Sequence, residues 1–187
     1  MGRFDLDTFV EECRAALGES EPLLAIKAVL TRALAAPAEV QAALPATCAE
    51  LAVLHSSAEL TVMKAVWAPR MALPPHNHLM WGALGVYGGK EDNRFFRRDG
   101  DALSQVGGKE MDEGDVALLG ADVIHSVTNP RTHAFTSAIH IYGGDFMHKQ
   151  RSVWPGSPPA EQPATGETMQ RYFTEANSAM EQVRPGP

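Results

Sequence analysis

A chain of 187 residues, 44% apolar and 21% charged, has ordinary globular composition and is long enough to bury one sizeable core. Its formal net charge of -7 argues against a nucleic-acid surface, which needs clustered Lys and Arg to release counterions. Two cysteines, Cys13 and Cys48, with no CxxC, argue against a disulfide framework, and no apolar run approaches the length of a membrane span.

Residues 5–44 read as helical. Leu6, Phe9, Val10, Cys13 and Leu17 recur at helical spacing, with Gly18 as a stop. Leu23, Leu24, Ile26, Val29, Leu30 and Leu34 form a second apolar face, and Pro37 opens a third short helix that ends before Pro45. From about residue 50 to 147 the pattern changes to short apolar runs broken by Gly, Pro, Asn and Asp: Leu60–Trp67, Trp81–Tyr87, Arg94–Arg97, Val116–Leu119 and Ala134–Tyr142. Many short strands at such spacing predict a barrel or sandwich, with turns expected at Gly88-Gly89, Asp99-Gly100-Asp101 and Gly107-Gly108. Arg94, Arg97 and Arg98, interleaved with Phe95 and Phe96, fit a strand with some basic positions. Residues 152–165 are rich in Pro, Gly and Ser and are expected to be irregular. Thr168–Val183 is expected to form an amphipathic helix anchored by Met169, Tyr172, Phe173 and Met180, followed by a frayed Pro185-Gly186-Pro187 tail. The domain expectation is a helical segment over 1–48, a barrel over 49–150 and a C-terminal extension over 151–187.

Six of the seven histidines lie between residues 76 and 148. In Pro74-Pro75-His76-Asn77-His78, two histidines stand two apart; on a strand such residues share a face, so both imidazoles can aim at one point. Alone, that spacing more often marks two ordinary surface or core histidines. Further on, Gly114, His125 and Asn129 stand at the spacing of a second pattern, with Gly120 and Asp122 at its Pro and Gly positions.

These two stretches resemble the paired motifs of the cupins. The first is HxH followed by Glu and Gly, matched at His76, His78 and Gly89 but with Gly82 at the Glu position. The resemblance covers roughly residues 50–147 and implies a mainly β fold with N-terminal helices, a cupin double-stranded β-helix, holding one metal ion on His76, His78 and His125. Glu91 is the candidate to replace the missing carboxylate, but it falls after the Gly88-Gly89 turn, on the next strand. Three neutral imidazoles and no carboxylate leave the ion its full charge and open coordination positions, which suits a substrate that brings its own anionic donor.

A three-histidine cupin without Glu resembles the thiol dioxygenases. Relatives of cysteine dioxygenase carry Ser-x-His-x-Tyr after the third metal histidine; here His140 stands fifteen residues after His125, Tyr142 follows, and Ala138 occupies the Ser position. The resemblance implies that His140 orients Tyr142 and that Tyr142 hydrogen-bonds the bound oxygen or substrate. It excludes the cysteine–tyrosine cross-link of the mammalian enzyme, since Gly82 stands where that cysteine would. The early-strand Arg of the cysteine enzymes has no counterpart in Leu54-His55-Ser56-Ser57, whereas Arg151, nine residues after Tyr142, matches the carboxylate-binding Arg of mercaptopropionate-type enzymes.

The expectation is an Fe(II)-dependent thiol dioxygenase, with a small thiol and O2 as partners and neither nucleic acid nor membrane. The alternatives are another metal-dependent cupin enzyme, such as a carbon–carbon-cleaving dioxygenase or an isomerase, and a non-catalytic small-molecule-binding cupin. Imidazole accepts iron, zinc, nickel and copper alike, so another divalent transition metal fits the same ligands. An N-terminus without the basic-then-apolar layout of a signal peptide leads to a cytoplasmic location, as a monomer or small homo-oligomer.

Overall fold

The computed structural model describes residues 3–100 and 102–183; the Pro185-Gly186-Pro187 tail lies outside them. Three helices open the chain: α1 (Leu6–Ala16), α2 (Pro22–Ala33) and α3 (Pro37–Ala43). Asp5 caps α1, its carboxylate accepting from the Thr8 amide at 2.8 Å. Pro22 and Pro37 each sit in the first turn of their helix, where the missing N–H costs nothing.

Eleven strands follow: β1 (Glu50–Ser56), β2 (Thr61–Trp67), β3 (Ala72–Asn77), β4 (Gly82–Gly88), β5 (Lys90–Asp99), β6 (Ala102–Asp112), β7 (Val116–Leu119), β8 (Ile124–Thr128), β9 (Thr136–Tyr142), β10 (Ser152–Val153) and β11 (Gln162–Pro163). They form a five-stranded sheet ordered β1-β2-β9-β4-β7 and a six-stranded sheet ordered β11-β10-β3-β8-β5-β6. The antiparallel pairs are nested, β2 with β9, β3 with β8, β4 with β7 and β5 with β6. Successive pairs alternate between the two sheets, so the chain is one long hairpin rolled on itself. That is the double-stranded β-helix which the histidine motifs imply.

The helices cover the outer face of the five-stranded sheet. Ile26, Leu30, Leu34 and Val40 share a buried cluster with Val62, Ala83, Tyr87, Ile139 and Ile141. Gly85 permits the approach: a Cβ there would lie 2.6 Å from Leu34 Cδ1 and 2.9 Å from Leu30 Cγ. The Tyr87 hydroxyl donates to the Leu44 carbonyl at 2.9 Å, which pins the end of α3 to the sheet.

At the C-terminus, α4 (Gly166–Val183) lies along the start of β1, where Asn177 exchanges two hydrogen bonds with the Ala49 backbone at 2.8 and 2.9 Å. Its Met169 and Phe173 are buried with Trp67, Leu73 and Val153.

Two expectations change. Gly107-Gly108 is not a turn but the middle of β6, opposite Phe95 and Arg94, with a bulge beside it. A Cβ on Gly108 would lie 3.0 Å from the Asn93 carbonyl, so this glycine serves a close strand approach. The hairpin turn is at Gly100, with φ +58°. The 152–165 segment is not wholly irregular, because β10 and β11 pair within it and β10 also pairs with β3.

Candidate metal centre

His76 stands on β3 directly across from His125 on β8. The register of that pair shifts between Leu73 and His76, where Pro74 and Pro75 stand. Neither proline can donate to the ladder, so a bulge forms and re-aims the strand. The freed Pro74 carbonyl accepts from His76 Nδ1 at 3.0 Å, and that of Pro75 accepts from the Trp154 amide at 2.7 Å. His78 follows the end of β3. Leu79 behind it takes φ +55°, a left-handed turn unusual for leucine, which swings the chain away after the histidine.

The candidate ligand nitrogens of His76, His78 and His125 all lie within 4.8 Å of one another, and all three residues are buried. His78 Nε2 and His125 Nε2 are 3.4 Å apart. Two imidazoles on one ion, each about 2.1 Å from it, stand at about that separation. Two of the three outer nitrogens are held as a ligand set requires. His125 Nδ1 donates to Asn93 Oδ1 at 2.7 Å and His76 Nδ1 to Pro74, leaving each Nε2 lone pair facing inward. Burial drives His76 down to about 4, with the Arg151 and His140 charges acting in the same direction. Burial, then the neighbouring histidines, hold His78 and His125 well below the ordinary imidazole range. Neutral imidazole is the ligating form, so the residues present fit a divalent transition metal.

Asn129 is structural. Its Nδ2 donates to the carbonyls of Trp67, Ala68 and Ala134, each at 3.0 Å, and its Oδ1 accepts from Arg131 N and Thr136 Oγ1.

His140 and Tyr142 project from β9 into the same interior. The Tyr142 hydroxyl and His140 Nδ1 are 3.1 Å apart, and the Tyr142 ring meets the His78 ring edge-on at 4.6 Å. Burial pushes the Tyr142 phenol up, so it stays protonated at neutral pH. Gly82 faces that ring: a Cβ there would be 3.2 Å from Tyr142 Cδ1. Phe146 stacks on Tyr142 at 4.3 Å, and the Arg151 guanidinium sits 3.8 Å over the Phe146 ring. Arg151 Nε is buried with no hydrogen-bond partner among the described residues.

Glu91 is fully buried but stands outside the ligand group. Its Oε2 accepts from Trp67 Nε1 at 2.8 Å and lies 3.6 Å from His140 Nε2, while Oε1 accepts from Asn93 Nδ2 at 2.9 Å. It therefore occupies the outer side of His140, which Ala138 leaves without a polar partner. Burial alone would raise the Glu91 carboxyl, but His140, Asn93 and Trp67 together bring it below its ordinary value.

Asn93 and Trp67 escaped the sequence reading. Their signal is the alternation on β5, where Glu91 and Asn93 are buried between more exposed neighbours. A polar pair two apart facing a barrel interior needs partners there.

A cavity of about 790 Å³ is lined by His76, His78, His140, Tyr142 and Arg151 together with Met169 and Phe173 of α4. Phe173 stacks on Trp67 at 5.5 Å, so the C-terminal helix forms one wall.

No family model matches the chain. Among solved structures it is similar to the cysteine peptidase peruvianin-I from Thevetia peruviana, at 15% identity and TM-score 0.39 over 46% of this chain and 51% of that one. It is similar to an uncharacterized double-stranded β-helix protein from Klebsiella pneumoniae, at 11% identity and TM-score 0.44 over 57% of this chain and 79% of that one. A third likeness is to a cupin-family protein from Methanocaldococcus jannaschii, at 9% identity and TM-score 0.44 over 55% of this chain and 85% of that one. The chain thus spans about half the length of the peptidase it matches. The nested strand pairing forms a cupin-type barrel and brings the three histidines together.

Proposed function

We propose that this protein is a cytoplasmic iron(II)-dependent dioxygenase that converts a small thiol and O2 into a sulfinate. The observation that carries the reading is the ligand set: three buried imidazoles with, among the described residues, no carboxylate in the group, two of which, His76 and His78, line a cavity shared with His140, Tyr142 and Arg151. The reaction balances without a further reductant, because both oxygen atoms end on sulfur and the electrons that sulfur loses are those that dioxygen gains. When bound on His76, His78 and His125, iron(II) would supply thiol deprotonation and dioxygen activation.

The chain's own residues do the rest. Arg151, its guanidinium held over Phe146, offers N–H donors to a substrate carboxylate. Tyr142 keeps its proton and presents its hydroxyl beside His78, oriented by His140. Phe146 and Met63 pack against Tyr142 and limit water around it. The test is oxygen uptake by iron-loaded protein with 3-mercaptopropionate, cysteine and cysteamine. Uptake with sulfinate as product is expected, and none across that panel with iron bound overturns the reading.

The cavity favours a second reading. Pockets of about 300–1,000 Å³ bury drug-sized ligands, and about 790 Å³ is ample for more than a three-carbon thiol. A metal-dependent cupin enzyme with a bulkier, non-thiol substrate would show turnover that Tyr142→Phe leaves unchanged.

A further inference from the structure

Among the described residues Glu91 is the one buried carboxylate, and it reaches toward both the metal ligands and the tyrosine side of the interior while touching neither ligand nor cavity directly. Its first arm runs to His125. An ionised carboxylate can only accept, so the Asn93 amide must turn its NH2 toward Glu91, where Nδ2 is 2.9 Å from Oε1. That orientation leaves Asn93 Oδ1 facing His125 at 2.7 Å, and an oxygen there demands a proton on His125 Nδ1. The proton is thereby kept off Nε2, the nitrogen on the His78 side. The second arm runs to Oε2, which accepts from the Trp67 indole N–H at 2.8 Å and faces His140 Nε2 at 3.6 Å.

We propose that Glu91 is the positioning residue that sets the proton arrangement of the site, fixing through Asn93 the tautomer in which His125 can bind a metal. Asn93 transmits the polarity and has no independent preference, because a side-chain amide fits either way round until its neighbours decide. The carboxylate is far from the ligands in sequence, and its effect passes through donor and acceptor order alone.

Glu91→Gln tests this without changing shape. The Trp67 N–H still requires an oxygen, so the new amide turns its NH2 toward Asn93. Asn93 must then reverse, presenting NH2 to His125 Nδ1 and forcing the proton onto Nε2. Adding Asn93→Asp restores the original order: the glutamine donates to the aspartate, and the aspartate accepts from His125 Nδ1. In both variants an oxygen still faces Trp67 and His140.

The inference rests on the three-histidine reading of the metal site, and two measurements separate them. Zinc or cobalt(II) titration of the unaltered protein tests the site itself. Nitrogen-15 spectra of histidine-labelled, metal-free protein test the proton order alone. His125 is expected as the Nδ1–H tautomer in the unaltered protein and in the Glu91→Gln/Asn93→Asp pair, and as the Nε2–H tautomer in Glu91→Gln. Metal dissociation constants should rise about 10–100-fold in the single variant and return to within a few-fold in the pair. A single variant that fails to fold should be rescued by the second change. An unchanged tautomer and affinity in Glu91→Gln, or a pair no better folded and no tighter than the single variant, overturns the proposal.

Discussion

Along β9, Ile139 and Ile141 turn outward to the helices, whereas Ala138, His140 and Tyr142 turn into the barrel. The whole strand is buried, so burial does not distinguish the two faces. β4 divides the same way, with Ala83 and Tyr87 in the helix-covered cluster and Leu84 and Val86 inside. The outer face is held by apolar contact, which tolerates small shifts. The inner face carries a connected set of polar groups, each of which constrains the donor or acceptor role of the next. One strand thus serves as the floor of a conventional core and the wall of a chemical site.

That contrast breaks most sharply at the ligands. His125→Ala should abolish metal loading while the helical layer stays intact, read by metal content and far-ultraviolet circular dichroism; retained stoichiometric metal would mean that the ion sits elsewhere. On the outer face, Leu30→Ala should cost about 2–5 kcal/mol of unfolding free energy with metal stoichiometry unchanged. A loss of metal binding there would show that the faces are not independent. Tyr142→Phe should lower thiol-dependent oxygen uptake by about 100-fold and stability by only about 1 kcal/mol, with metal affinity unaltered; equal losses of stability and turnover would make the hydroxyl a structural group.

The faintest expected contrast is in pH. His76 is held to about 4 in the folded chain by burial, with help from the Arg151 and His140 charges. Unfolded, it returns to about 6.5. Between those values the unfolded state binds more protons, so the metal-free protein should lose stability as pH falls from about 6.5 toward 4. Denaturant midpoints across that range measure it. Leu30→Ala should keep the slope and His76→Asn should reduce it, while a flat profile in the unaltered protein would contradict the buried neutral histidine.

Periodicity was enough to find α1 and α2, because each carries its own apolar face, while α3 was marked by the prolines that bracket it. The histidine cluster was legible because two of its members lie two residues apart and the third sits in a spaced Gly–His–Asn pattern. Glu91 was harder. Its partners His140 and Trp67 lie on other strands, so only tertiary structure makes it an acceptor behind the site and not a ligand in it. Gly107-Gly108 misled for a related reason, since a close strand approach and a turn call for the same residue. Phe173 was foreseen as an anchor, but that it anchors on Trp67, which in turn holds Glu91, depends on where the C-terminal segment returns.

The nested strand order also dictates when the protein becomes competent. The innermost nested pair, β5 with β6, is a local hairpin, and the pairs nested around it, β4 with β7, β3 with β8 and β2 with β9, join residues progressively farther apart in sequence. His76 and His125 meet only when β3 finds β8, and β10 locks onto β3 later still in chain order. Contacts of such long range form late because loop-closure entropy must be overcome before they contribute. The three histidines therefore come together only after β8 has been made and has paired with β3.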